Sequence, residues 1–179
     1  MKSIEMEEAR QAAVNGDRKA LEVVVRALLP RVRNLVRYLV RGDADVDDIA
    51  QEALVTVIAG LPSHRGDGPL TIWADRVTVN ATFAYLRRLR RARSMVEPEA
   101  DLSVVPAPDG PPDEYAARRR AVRLLDEIPD DQRQALVLHH VVGMSVPEVA
   151  KMEEAPLETV RSRLRIGMAK LRELHGGGE

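Results

Sequence analysis

The chemically suggestive feature of this 179-residue chain is where its arginines fall. Arg76, Arg87, Arg88, Arg90, Arg91 and Arg93 lie within residues 76–96, which contain no acid. Guanidinium groups at that density grip phosphate oxygens, and Asn80 adds an amide able to pair with base edges. Trp73, Phe83 and Tyr85 are interleaved, the combination that holds single-stranded nucleic acid. His64 and Arg65 precede them in a Gly- and Pro-containing loop, 63–69. Two blander readings stay open: Trp73 as a core residue, and the arginines as a basic membrane-surface helix.

A second basic set follows the break at Glu154-Ala155-Pro156. At about 100° per residue, Leu157, Val160, Leu164, Met168 and Leu171 form one narrow apolar stripe. Thr159, Ser162 and Ile166 lie opposite it, and Arg161, Arg163 and Arg165 occupy the flanks, where long side chains reach round. A helix that docks by its stripe and shows small polar residues outward fits a DNA major groove. The same pattern fits a surface helix with solvated arginines. Asp48, Gln51, Glu52 and Val55 make a third set, on the side of a helix whose opposite side carries Val46, Ala50, Ala53, Leu54 and Val57. They read either as a docking face for a basic partner or as a solvated face. Asp43, Asp45 and Asp47 read as charges favouring the helix start.

No constellation points to catalysis. The chain has no Cys and four His, of which His139 and His140 are neighbours on a helix and point about 100° apart, so they do not chelate one metal together. Neither a Gly-rich phosphate loop nor a nucleophile elbow occurs. We expect no catalytic residue, no metal and no cofactor.

The elements that must position these groups are helices. Lys plus Arg is 27 and Asp plus Glu 28, a net charge of −1, so any nucleic-acid binding rests on local patches. The chain is 45% hydrophobic but only 3% aromatic, and its β-branched residues fall at helical spacing. There is no signal-peptide pattern and no stretch near the ~18 apolar residues of a membrane span. We expect an all-α protein of two small helical domains, an N-terminal bundle (1–93) and a C-terminal helix-turn-helix domain (114–175). A Pro-rich acidic linker, 94–113, joins them: residues 97–114 hold six acids, five of the eleven prolines and no Lys or Arg. Helices are expected at 4–14, from Asp17 to Leu39 with a kink or division at Pro30, and at 44–59, 70–93, 114–127, 130–142, 146–153 and 157–174.

Taken together, GDRKAL (16–21), DVDDIAQEALVTV (45–57), the W-x-x-R-V-x-x-N run (73–80) ending in LRRLRR (86–91), IPDDQRQALVLHHVVGMSVPEVA (128–150) and ETVRSRLRIGMAKLRE (158–173) resemble a bacterial RNA polymerase sigma factor. The likeness is to the extracytoplasmic-function (ECF) subfamily of the sigma-70 family and covers about residues 9–174. It implies a cytoplasmic, non-enzymatic subunit that binds core RNA polymerase and directs it to promoters. Asp48, Gln51, Glu52 and Val55 would face the polymerase clamp. His64, Arg65, Arg76, Asn80, Arg87, Arg88 and Arg91 would take the −10 element, and Thr159, Arg161, Ser162, Arg163 and Arg165 the −35 element. The linker would thread toward the polymerase active centre. Family members are often held by an anti-sigma factor, frequently membrane-anchored. Three residues depart from the pattern: Ala84 replaces a frequent Asp, Glu154 stands in a turn that usually holds Gly, and Glu158 replaces Gly. A stand-alone helix-turn-helix regulator is the alternative, although the chain has no heptad zipper to dimerise on. An adaptor built only of helices would leave the arginine clustering unexplained.

Overall fold

The computed structural model describes residues 3–93 and 112–176, so the expected linker lies outside the described residues up to 111. All regular structure among the described residues is helical. The chain divides into two compact units, one comprising residues 1–36 and 44–102, the other 37–43 and 103–179.

The first unit is built on α1 (Ser3–Val14), α2 (Arg18–Leu39), α3 (Val46–Gly60) and α4 (Leu70–Arg93), with a single 3-10 turn, Leu61–Ser63, after α3. The stop after α1 is a Schellman arrangement. Gly16 takes φ +96, Asp17 N–H donates to the Ala12 carbonyl and Gly16 N–H to that of Ala13, each at 3.0 Å. Asp17 then caps α2, its Oδ1 accepting from the N–H groups of Lys19 (2.8 Å) and Ala20 (3.1 Å). Val24, Leu28, Val32, Leu35, Val36 and Leu39 recur at helical spacing along α2 and are buried. The expected division at Pro30 does not occur: the helix continues through this exposed residue. Val46, Ile49, Ala50, Ala53, Leu54 and Val57 form the buried side of α3.

α4 buries Leu70, Ala74, Asp75, Thr78, Val79, Thr82 and Phe83. Its three buried polar side chains are all satisfied. Thr78 and Thr82 hydroxyls each donate at 2.8 Å to the carbonyl four residues back, and Asp75 accepts two bonds of 2.6 Å from Arg31 on α2. That bidentate pair links α4 to α2.

The second unit contains α5 (Pro112–Asp126), α6 (Asp130–Leu136), α7 (Val146–Glu153) and α8 (Leu157–Gly176). α5 opens two residues earlier than expected, with proline in the first turn, where its missing N–H has no helical partner to lose. α6 ends in a π-turn, Val137–Val141, that the sequence pattern did not indicate. Arg133 is fully buried on α6, donating to the Leu125 carbonyl (2.9 Å) and to Asp126. Ser145 caps α7 through a capping box with Glu148, whose Oε2 accepts from Ser145 N and Oγ at 2.8 Å each. α8 crosses α6 at Gly167, where an added Cβ would stand 2.9 Å from Leu136 Cδ1 and 3.1 Å from Gln132 Cβ. The glycine lets the two helices approach at that point.

Candidate nucleic-acid interface

Asp48, Gln51, Glu52 and Val55 fall at i, i+3, i+4 and i+7 of α3, one face of the helix. Asp48, Gln51 and Val55 are exposed, Val55 at 64% the most exposed large hydrophobic side chain among the described residues. The Tyr85 phenol beside this face is pushed up first by burial and then by Asp45, Asp48 and Glu52. Several carboxylates therefore act on one place, as a site for a basic partner requires.

The basic surface runs along α4. Placing residues at about 100° each puts Arg76, Asn80, Arg87 and Arg91 within about 60° of one another. Arg76, Asn80 and Arg91 are exposed and Arg87 is half-buried. Exposed Ile72 continues the stripe toward the start of the helix, and Ala84 sits at its margin, half-buried. The alanine leaves the stripe without the carboxylate common in the family.

Arg88 does not join that stripe. It lies about 80–120° round the helix from Arg76 and Asn80, and its Nη2 donates to Glu52 Oε1 at 2.6 Å. Its guanidinium also stands 5.5 Å from the centre of the Tyr85 ring. An arginine expected at a DNA surface is thus bound to a glutamate expected at a polymerase surface, linking α4 to α3.

His64 is the other displaced residue. It is 6% exposed; its Nδ1 accepts from Gly66 N–H at 3.1 Å, and its ring meets Trp73 edge-on at 5.4 Å. The apolar wall of Trp73 and the needs of the turn draw it inside, so in this structure it is buried and not on the exposed surface expected of a DNA contact. Arg65, next to it, is exposed.

In the second unit, Thr159, Arg161 and Arg165 are exposed and Ser162 is half-buried. Counting at about 100° per residue, Thr159, Ser162 and Arg165 span about 120° of α8 with Ile166 among them. Val160, fully buried, holds the opposite side to the domain. Arg163 is turned away from this face: its Nη1 donates to Glu153 Oε2 at 2.6 Å and its Nε to Asp131 Oδ2 at 3.0 Å. It ties α8 to α7 and α6. The Glu153 side chain is 4% exposed and its Oε1 has no hydrogen-bond partner. Burial accordingly pushes its carboxyl above the ordinary value, against the pull of Arg163.

The two acidic departures are accommodated differently. Glu154 takes the left-handed conformation, φ +53, ψ +41, that the turn demands and a glycine adopts without strain. Glu158 pairs with Arg161, the two side chains being 78% and 58% exposed. The carboxylate therefore sits inside the outward face and holds one of its arginines. His139 Nδ1 bonds the Met144 carbonyl at 2.7 Å, while burial and then His139 push His140 down.

With this geometry in place, two family matches cover the two units: Sigma-70 region 2 over residues 24–92 and Sigma-70, region 4, over residues 118–171. The ECF RNA polymerase sigma-E factor of Escherichia coli (strain K12) is 30% identical over 164 residues, covering 83% of each chain. The ECF RNA polymerase sigma factor SigM of Mycobacterium tuberculosis (strain Erdman) is 34% identical over 169 residues, covering 92% of this chain and 82% of that one. Among solved structures, the sigma factor RpoE in complex with the anti-sigma factor NepR from Bartonella quintana shares the fold. Its TM-score is 0.60 at 21% identity, over 90% of this chain and 99% of that one. CnrH in complex with the cytosolic domain of CnrY gives a TM-score of 0.52 at 23% identity, over 99% of this chain and 98% of that one. The chain belongs to the extracytoplasmic-function group of the sigma-70 family of RNA polymerase sigma factors. Sigma factors are non-enzymatic, DNA-recognising subunits of the polymerase, so the stand-alone regulator gives way to a polymerase subunit. No described helix is long and apolar enough to cross a membrane.

Proposed function

We propose that residues 1–93 bind both core RNA polymerase and the −10 element, that 114–175 bind the −35 element as duplex, and that 94–113 connect them. The acidic face Asp48, Gln51, Glu52 and Val55 docks on the clamp. Arg65, with the α4 stripe Arg76, Asn80, Arg87 and Arg91, holds the non-template strand while a base leaves the stack to be read on its pairing edge. Arg88 joins that surface once Glu52 is engaged elsewhere. On α8, Thr159, Ser162 and Arg165 face the major groove, with Arg161 beside them. Action is in the cytoplasm, where bacterial polymerase works. An anti-sigma factor belongs to the same reading, supported by the structural neighbour RpoE, solved in complex with the anti-sigma factor NepR.

The observation that carries this reading is the meeting of an acidic, Val55-bearing face on α3 with a basic, amide-bearing face on α4 in one small unit. Reconstitution with core RNA polymerase should yield promoter-dependent transcripts, mapped by their 5′ ends. Asp48→Arg should reduce co-purification with core while leaving −35 duplex binding intact in a gel shift. No stable complex and no promoter-dependent transcript would defeat the reading.

A further inference from the structure

α1 is attached to its unit in an unusual way. Among its described side chains, Met6 is the one buried hydrophobic residue. Its firmest hold is polar and comes from Arg10, 6% exposed. Arg10 Nη1 donates to the Leu61 carbonyl at 3.1 Å, at the start of the loop between α3 and α4. The rest of the guanidinium is fixed from its own helix, by Glu7 Oε1 at 2.8 and 2.6 Å and by Gln11 Oε1 at 2.9 Å. A planar fork held on three sides has little freedom, so the carbonyl it grips is held in place.

The same loop is pinned from the α4 side. His64 lies edge-on to Trp73 and accepts the Gly66 N–H, and Glu7 Oε2 stands 4.0 Å from His64 Nδ1. Gly66 turns the chain at φ +80. Trp73 in turn fits against Gly60, where an added Cβ would lie 3.1 Å from the indole. Between these anchors Arg65 and Asp67 project outward, exposed. The loop tip is therefore held to a defined position by α1 and Trp73 together, and α1 precedes the Sigma-70 region 2 match, which begins at residue 24.

We propose that α1 sets the base selectivity of the 63–69 loop, with Arg10 and His64 as positioning residues that touch no DNA themselves. This rests on the reading that the loop, through Arg65, helps hold the non-template strand while a −10 base is extruded and read. Recognition of a flipped base depends on hydrogen bonds to its pairing edge, and small misplacements of a positioned group are costly. Loosening the Leu61 anchor should therefore flatten the discrimination between bases more than it lowers overall capture.

The test uses holoenzyme reconstituted from core polymerase and the full chain, offered a single-stranded DNA pool with a short randomised window, with captured strands sequenced. Arg10→Met should reduce the strongest base preference by about tenfold while core affinity and −35 duplex binding stay at wild-type values. Arg10→Lys, which still donates to the Leu61 carbonyl, should restore part of the preference. Gly66→Ala disturbs the turn directly, its added Cβ 4.0 Å from Glu7 Oε1, and should flatten the same position; urea unfolding of Arg10→Met checks that the variant is folded. Wild-type preference in Arg10→Met, or an equal loss of capture for every base, would overturn the inference. If wild-type holoenzyme shows no base preference, the loop's role in −10 capture fails, and the inference with it; that result is seen before any variant is made.

Discussion

Each unit joins two of its helices through an arginine–glutamate pair, and the two pairs differ in their surroundings. Arg88 and Glu52 are 59% and 39% exposed, whereas Arg163 and Glu153 are 24% and 4% exposed. In water such a pair contributes little and either member can be handed to a new partner. In a dry site the charges depend on each other, and removing one strands the other. The arginine of α4 is therefore held in reserve, while that of α8 is committed to the fold. Arginine density in a sequence overstates the binding surface by the number of residues committed in this second way.

The sharpest test of that contrast is Arg163→Met. It leaves a buried carboxylate unpaired and removes the link from α8 to Asp131, and we expect it to destabilise the second unit by about 3–5 kcal/mol. Thermal or urea unfolding measures the loss. The pH dependence carries its own sign. Because the folded state raises the Glu153 carboxyl above its ordinary value, the folded state binds that proton more tightly than the unfolded chain. The associated stability is present at low pH and is lost as pH rises through the folded value. Without Arg163 the carboxyl moves further up, so the deficit should be greatest at neutral pH and shrink on acidification. A deficit independent of pH would mean that lost packing, not the charge pair, is what Arg163 supplies.

Arg165→Ala is the matching experiment on the free side of α8. This residue lies two positions from Arg163 but faces outward, and its loss should weaken −35 duplex binding by about 1–3 kcal/mol with unfolding unchanged. A gel shift on the selected duplex checks the first part and urea unfolding the second. If Arg163→Met and Arg165→Ala gave the same pattern in both assays, the distinction between committed and available arginines on this helix would collapse.

Much of the architecture was legible because local signals agree with one another. Asp17 and Ser145 cap where they should, Gly16 stops α1, and the spans 70–93 and 146–153 emerge with the expected limits. The π-turn at 137–141 left no trace in the pattern, since widening one turn by a residue hardly alters apolar spacing. Of the kink or division expected at Pro30, the division does not occur, because α2 runs on with the proline on its exposed side. In the candidate site, face membership followed from helical geometry, but occupancy did not. Nothing local in the sequence says that Arg88 turns to Glu52, thirty-six residues away, or that Arg163 turns to Glu153 and Asp131. His64 went inside for a tertiary reason as well, its contact with Trp73. Arg10 escaped notice because a lone arginine on a short helix reads as solvated until the Leu61 carbonyl is placed beside it. Gly167 carried a usable signal: a glycine in mid-helix costs about 1 kcal/mol relative to alanine, and close helix approach is a common reason to keep one.

The smallest expected effect lies in the exposed pair, and it decides whether the acidic and basic faces of the first unit communicate. Glu52→Gln removes the acceptor charge that holds Arg88, so the free chain should bind a labelled single-stranded oligonucleotide about twofold more tightly. Raising the salt concentration should erase the gain, since it screens both the pair and the phosphate contact. The same substitution in an Arg88→Ala background should leave oligonucleotide binding unchanged, which separates release of Arg88 from a general drop in negative charge. Core polymerase affinity should fall in Glu52→Gln whatever Arg88 does, because Glu52 is then missing from the docking face. Polymerase capture of Glu52 and release of Arg88 to DNA would then be one exchange, and linkage requires bound DNA to favour polymerase docking by the same factor. An equal gain with and without Arg88 would break that coupling and leave the two faces as independent surfaces that merely touch.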